Sequence, residues 1–172
     1  MIELHPIGTV RSDIKTPSLT ANKDGLTRDQ RLQVAREEHR RTRELVSEIA
    51  INEEYGDLLD GLEGFSHILV LYWPHLLPPE RRSLKKVHPM GLQEFPEQGV
   101  FATCSPARPN PVLVSAVKLV AREGLILRVQ GFEAVDGSPV VDIKPYNPGY
   151  FRIESPIIPE WMRRIRAEAA GE

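Results

Sequence analysis

Nine residues, Phe65-Ser-His-Ile-Leu-Val-Leu-Tyr-Trp73, form a nearly continuous apolar run that stops at Pro74. Its β-branched and aromatic side chains suit a pleated surface, and a proline cannot donate to a strand ladder, so the run predicts a strand ending at Trp73. It falls far short of the ~20 apolar residues that span a bilayer as a helix. The run is therefore expected to be the central, buried strand of a globular core.

Around it, turn signals cut the chain into further short strands. Leu4 to Val10, Ser47 to Ile51 and Pro139 to Ile143 each have strand character, the last following the turn Asp136-Gly137-Ser138. Val112 to Val120 and Leu125 to Phe132 flank Arg122-Glu123-Gly124, a hairpin signal. Between Gly99 and Val112 an apolar strand is expected to run into a loop stiffened by Pro106, Pro109 and Pro111, which fix φ and hold Arg108 and Asn110 in extended or turn geometry. About seven strands at short spacing predict a mainly antiparallel sheet or open barrel. Helical patterns are few. Thr27 to about Val46 lacks Pro and Gly, with Thr27 a candidate N-cap and a thin stripe of Leu32, Val34, Ala35, Leu45 and Val46. Asn52 to Gly61 reads as an acidic helical turn, Leu76 to Gln98 as a polar excursion carrying Arg81, Arg82, Lys85 and Lys86, and a helix containing Trp161 follows Pro159.

The chain of 172 residues fits one domain with an appendage, and 41% hydrophobic with 27% charged residues is ordinary globular composition. A net charge of −2 gives no global basic field, although a local basic face can still follow a phosphate backbone. Cys104 is the sole cysteine, so no internal disulfide forms. The opening Met-Ile-Glu-Leu-His-Pro lacks the features of a signal peptide, and a cytoplasmic location is expected. There is no glycine-rich dinucleotide loop, Walker loop, cysteine pair or His-Glu-x-x-His, so no metal site is expected and any nucleotide-like cofactor must be held by another architecture.

Several residues carry chemistry. His67, inside the apolar run, is either a hydrogen-bonded core histidine or a catalyst. His75, just past Pro74, is at a strand end where side chains reach ligands, and is either a site residue or a structural one. Cys104 is either a nucleophile activated by a histidine or a small packing residue. Asp142, Lys144 and Tyr146 alternate along an extended segment and so share one face, either a site combining an acid, a cation and a phenol or an exposed strand face with a surface ion pair.

Five ordered blocks carry a resemblance: Ile7-Gly-Thr-Val-Arg-Ser12, Gly61-Leu-Glu-Gly-Phe-Ser-His67, Gly99-Val-Phe-Ala-Thr103, Arg108-Pro-Asn-Pro111 and Asp136-Gly-Ser-Pro-Val-Val-Asp-Ile-Lys-Pro-Tyr146. Together they resemble the TsaA-like or TrmO family of S-adenosylmethionine-dependent methyltransferases. The resemblance implies a mainly β (α+β) fold: a single-sheeted, mostly antiparallel β-barrel over residues 1–150, with a helical insertion at about 27–46 and a C-terminal helical tail at 151–172. It further implies a cytoplasmic homodimer, with no membrane and no metal, that methylates N6 of threonylcarbamoyladenosine at tRNA position 37. Carried over by position, cofactor contacts fall on His75, Leu76, Cys104, Arg108, Asn110, Val114, Gly131, Phe132 and Glu133, and Asp142, Lys144 and Tyr146 are the expected catalytic residues. Cys104 stands where the family pattern has an arginine and Leu113 where it has a glycine. Loss of that guanidinium removes a donor fork for a carboxylate or phosphate. Methylation of a small molecule, and cofactor binding without catalysis, are the alternatives.

Overall fold

Strands with one face turned to a shared interior must bury that face, and six of them do so here by closing on themselves. The computed structural model of the chain describes residues 3–17 and 28–170. In chain order its elements are β1 (Gly8–Arg11), α1 (Arg28–Glu44), β2 (Val46–Ile51), β3 (His67–Tyr72), β4 (Lys86–Val87), β5 (Gln98–Gly99), β6 (Leu113–Glu123), β7 (Ile126–Gln130), β8 (Pro139–Pro145), α2 (Pro148–Phe151) and α3 (Glu160–Ala170). Strands β1, β2, β7, β6, β3 and β8 form, in that order, a closed barrel with every neighbouring pair antiparallel. Each expected strand except the one after Gly99 has a counterpart, β1 covering only the end of the expected Leu4 to Val10, and the barrel is closed rather than open.

Alternation along each strand explains the core. Val10, Ile49, Ile68, Val70, Val117, Leu127, Val129, Phe132 and Val140 are all essentially inaccessible and fill the interior. The central strand β3 is consequently not buried on both sides: Ile68, Val70 and Tyr72 point in, while Leu69 and Leu71 lie half-buried on the outer wall. His67 corrects the expectation of a core histidine. It is exposed at the start of β3, with Nδ1 2.9 Å from Ser66 Oγ. The run looked two-sided because a barrel wall keeps apolar residues on its outer surface as well.

Two further expectations change. The segment after Gln98 is not a strand into a loop: pairing stops at Gly99, and Val100–Ala102 forms a single 3-10 turn. The polar helix ends at Glu44, so Leu45 lies beyond it and Val46 belongs to β2, while Thr27 lies outside the described residues. The helix docks through Leu32, which joins Leu92 and Phe95 in a second small core completed by Met90, Trp161 and Ile165. Arg36 donates from Nε and Nη2 to the Glu168 carbonyl, and Arg164 lies over the Phe95 ring at 5.1 Å, so α1, α3 and the excursion form one helical annex beside the barrel. No helix among the described residues is long and apolar enough to cross a membrane.

Candidate functional site

Antiparallel pairing gathers the ends of several strands at one mouth of the barrel. Tyr72 at the end of β3 pairs with Leu113 at the start of β6 and with Val140 near the start of β8, and β1 reaches the same mouth through Val10, whose amide donates to the Ser138 carbonyl. Strand-end residues singled out in the sequence therefore meet: His75 and Leu76, Leu113 and Val114, Gly131-Phe-Glu133 and Asp136-Gly-Ser138.

Three local structures build this mouth. The first centres on Glu133, whose Oε1 accepts from Ser115 Oγ at 2.5 Å and from the Tyr72 hydroxyl at 3.2 Å. Tyr72 meets Phe132 edge-on at 5.0 Å beneath it. Burial, reinforced by the Glu133 carboxylate, pushes the Tyr72 phenol well above its ordinary range, so it stays a donor. Both bonds are accepted by Oε1, and Glu133 is itself exposed.

The second is a clasp between the two ends of the barrel domain. Asp136 accepts from the Ser12 amide at 3.0 Å and from Lys15 Nζ at 2.9 Å. These donors, the Ser12 amide foremost, hold its carboxyl below the usual range. Gly137 takes φ of 79°, which an L side chain rarely adopts, and lets the chain turn beneath His75. His75 Nδ1 lies 3.3 Å from Ser138 Oγ, and the imidazole is exposed. Beside it the apolar Leu76 and Val114 are 49% and 58% exposed, an arrangement that leaves hydrophobic surface open at the mouth.

The third is the proline-framed loop. Arg108 is turned inward on its own chain: Nε donates to the Ser105 carbonyl at 2.8 Å and Nη2 to the Thr103 carbonyl at 2.6 Å. Its donors hold the loop's shape, with Pro111 and Ala107 buried beneath, while Cys104 and Asn110 are exposed. The excursion is sewn to this loop through the β4–β5 ladder and the Val100 amide, which donates to the Lys85 carbonyl.

Asp142, Lys144 and Tyr146 lie elsewhere. Register places Asp142 beside Leu71, whose other neighbour is Val114, so Asp142 faces outward two strands from the mouth's apolar surface. Lys144 is beside Leu69 and pairs with Asp142 at 2.6 Å. Tyr146 is near the opposite end, its amide donating to the His67 carbonyl and its ring stacked 6.0 Å from Phe151. The acid and the cation are brought together, and the phenol joins a separate aromatic group with Tyr150.

Sequence reasoning missed Tyr72, Ser115, Trp73 and the individual importance of Arg82. The Arg82 guanidinium lies 5.1 Å over the Trp73 ring, at the same strand end as His75. No spacing rule links these residues; closure of the barrel does. Among the described residues no group of histidine, cysteine, aspartate and glutamate is arranged to hold a metal.

Known proteins resemble this chain in the same region. The family of the tRNA-methyltransferase O N-terminal domain matches residues 30–150. A protein of Methanothermobacter thermautotrophicus called a probable S-adenosyl-L-methionine-binding protein is 44% identical over 145 residues, covering 84% of this chain and 90% of its own. The tRNA (adenine(37)-N6)-methyltransferase of Escherichia coli is 42% identical over 96 residues, covering 54% of this chain and 40% of its own. A crystal structure of TrmO superposes with a TM-score of 0.66 at 27% identity, covering 92% of this chain and 63% of that one, so the chain spans less than two thirds of that protein.

Proposed function

From the premise that the chain belongs to the TrmO family, we propose that it is an S-adenosylmethionine-dependent methyltransferase of tRNA, acting on N6 of threonylcarbamoyladenosine at position 37. The observation that carries this reading is the barrel mouth itself: residues from β3, β6 and the segments around β7 and β8 on which the resemblance puts cofactor contacts converge there.

The donor set suits the cofactor. Leu76 and Val114 offer exposed apolar surface for a purine, the exposed Glu133 carboxylate would accept from a ribose hydroxyl or an ammonium, and His75 closes the side against Ser138. When bound, S-adenosylmethionine supplies an electrophilic methyl group on a sulfonium. The protein's own task is to align the acceptor nitrogen and take its proton. Asp142 would receive that proton, and Lys144, 2.6 Å away, would stabilise the carboxylate. Two strand spacings put it about 10 Å from Val114, enough for an acceptor base between them. Tyr146, Phe151 and the exposed Tyr150 provide aromatic faces on which unpaired bases stack. Exposed Arg40, Arg41 and Arg43 on α1, with Lys85 and Lys86, would hold phosphates. In the cytoplasm the protein would act as a homodimer, burying exposed apolar residues of the outer wall such as Val120 and Phe65.

The test is incubation of the purified protein with labelled S-adenosylmethionine and tRNA with or without the threonylcarbamoyl group, followed by mass spectrometry of the nucleosides and light scattering for the dimer. A methyl group on N6 of the modified adenosine only is expected. Label appearing in a small-metabolite fraction instead, or tight cofactor binding with no transfer at all, overturns the reading.

A further inference from the structure

Arg82, near the barrel mouth, has a buried donor that no acceptor among the described residues meets. It sits in the short 3-10 turn Pro79–Ser83, and its guanidinium carbon lies 5.1 Å over the centre of the Trp73 ring. Its Nε is fully enclosed, yet it donates to nothing; among the described residues it is the single buried side-chain nitrogen or oxygen without a partner. Nor does a carboxylate approach the guanidinium within ion-pair distance among those residues. Buried donors are almost always satisfied, so an orphaned guanidinium N–H marks a missing acceptor.

The surroundings say what that acceptor is. Trp73 is tied to the site, its amide donating to the Pro139 carbonyl at 2.9 Å, and two residues later His75 rests on Ser138. The cation–π contact with Trp73 restrains the guanidinium, so less rotamer entropy is left to lose when an anion binds. Arg81, Lys85 and Lys86 on the same excursion add positive potential, against Glu80 alone in Pro79–Val87. Arg108 cannot serve in its place, because two of its nitrogens already bond the carbonyls of its own loop. We propose that Arg82, its guanidinium held over Trp73, is an oxyanion-binding residue at the barrel mouth, taking a carboxylate or phosphate oxygen on its guanidinium. Which oxyanion it takes in function rests on the reading above: the amino-acid carboxylate of the methyl donor, or a phosphate of the tRNA.

The experiment has two arms. In the first, the Arg82 Nε–H resonance, assigned by its disappearance in Arg82→Lys, is followed while inorganic phosphate and then acetate are added to the whole protein. A saturable shift with either anion, absent with chloride at equal ionic strength, is expected; no specific shift with either overturns the site whatever the protein's activity. In the second, binding of S-adenosylhomocysteine, its decarboxylated analogue and tRNA is measured for the wild type, Arg82→Gln and Arg82→Lys. A carboxylate partner predicts about tenfold weaker S-adenosylhomocysteine binding in both variants with the decarboxylated analogue unaffected. A phosphate partner predicts unchanged S-adenosylhomocysteine and weaker tRNA binding with a shallower salt dependence. Unchanged affinities for both, in variants that keep the fold by circular dichroism, overturn the proposal. If the wild type binds neither ligand while the Nε–H shift is seen, the tRNA methyltransferase reading fails and the oxyanion site stands.

Discussion

Glu133 is anchored by two donors of unequal geometry, and this inequality can be measured. Ser115 Oγ approaches Oε1 at 2.5 Å, at the short end for a hydroxyl bond to a carboxylate, whereas the Tyr72 hydroxyl at 3.2 Å is beyond the usual O–H···O range. Bonds to charged acceptors contribute about 1.5–3 kcal/mol and neutral ones about 1 kcal/mol. Because Glu133 is exposed, water can replace a lost donor, which places both losses toward the lower figures. Ser115→Ala should cost about 1.5 kcal/mol and Tyr72→Phe about 0.5–1 kcal/mol, since the phenylalanine ring keeps the edge-on contact with Phe132. The two share one acceptor oxygen, so the double variant should deviate from additivity by at least about 0.5 kcal/mol. Urea denaturation monitored by tryptophan fluorescence gives these values, provided the slope with denaturant is unchanged. A larger loss for Tyr72→Phe than for Ser115→Ala, or strict additivity, would refute the shared-anchor geometry.

Other substitutions probe separate parts of the argument. At Gly8 an added Cβ would lie 2.4 Å from the Ala50 carbonyl oxygen and 3.1 Å from Ile51 Cα, backbone that cannot swing aside; Gly8→Ala should cost at least about 2 kcal/mol in denaturant unfolding. Asp136 has a lowered folded-state pKa, so its contribution is present above the ordinary aspartate range and disappears as pH falls through the lower folded value. Asp136→Asn should therefore be less stable than the wild type at neutral pH, with the two melting curves merging in strong acid. Phe95→Ala should cost about 3–4 kcal/mol within the annex. Hydrogen exchange should then show α1 and α3 amides losing protection while β3 and β7 keep theirs; joint loss would contradict the separation of the two cores. Cys104→Arg restores the family's guanidinium on an exposed loop and should leave S-adenosylmethionine affinity unchanged or tighter by calorimetry, a clear loss indicating a pocket rebuilt for another ligand.

Local signals carried much of the fold. Gly124, with φ of 61°, and Gly137 mark turns that neighbouring residues alone announce, and the strands they delimit follow within three residues. The apolar run Phe65–Trp73 announced a strand but not its single buried face, because only closure reveals that Leu69 and Leu71 are on an outer wall. The site was harder to read. Tyr72 and Glu133 are 61 residues apart and meet through pairing with β6, which no spacing encodes. Arg108 advertised itself as a presented cation, yet its partners are carbonyls of its own loop, and carbonyls leave no trace in a sequence. Arg82 was one of four basic residues in a cluster; its distinction arises from Trp73 beneath it.

The barrel closes between β1 and β8, where Gly8 pairs with Val140 and Thr9 with Pro139. These are segments from opposite ends of the domain, so the seam has the largest sequence separation of any strand pair and must overcome the most loop-closure entropy before its bonds form. During synthesis, β3 can find β6, and β6 can find β7, well before β8 has emerged. Until it does, β1 and β3 remain open edges, prone to pairing with other chains. The Ser12, Lys15 and Asp136 clasp lies just beyond this seam, so it would act on the folding clock as a late latch: disrupting it should accelerate unfolding more than it slows folding.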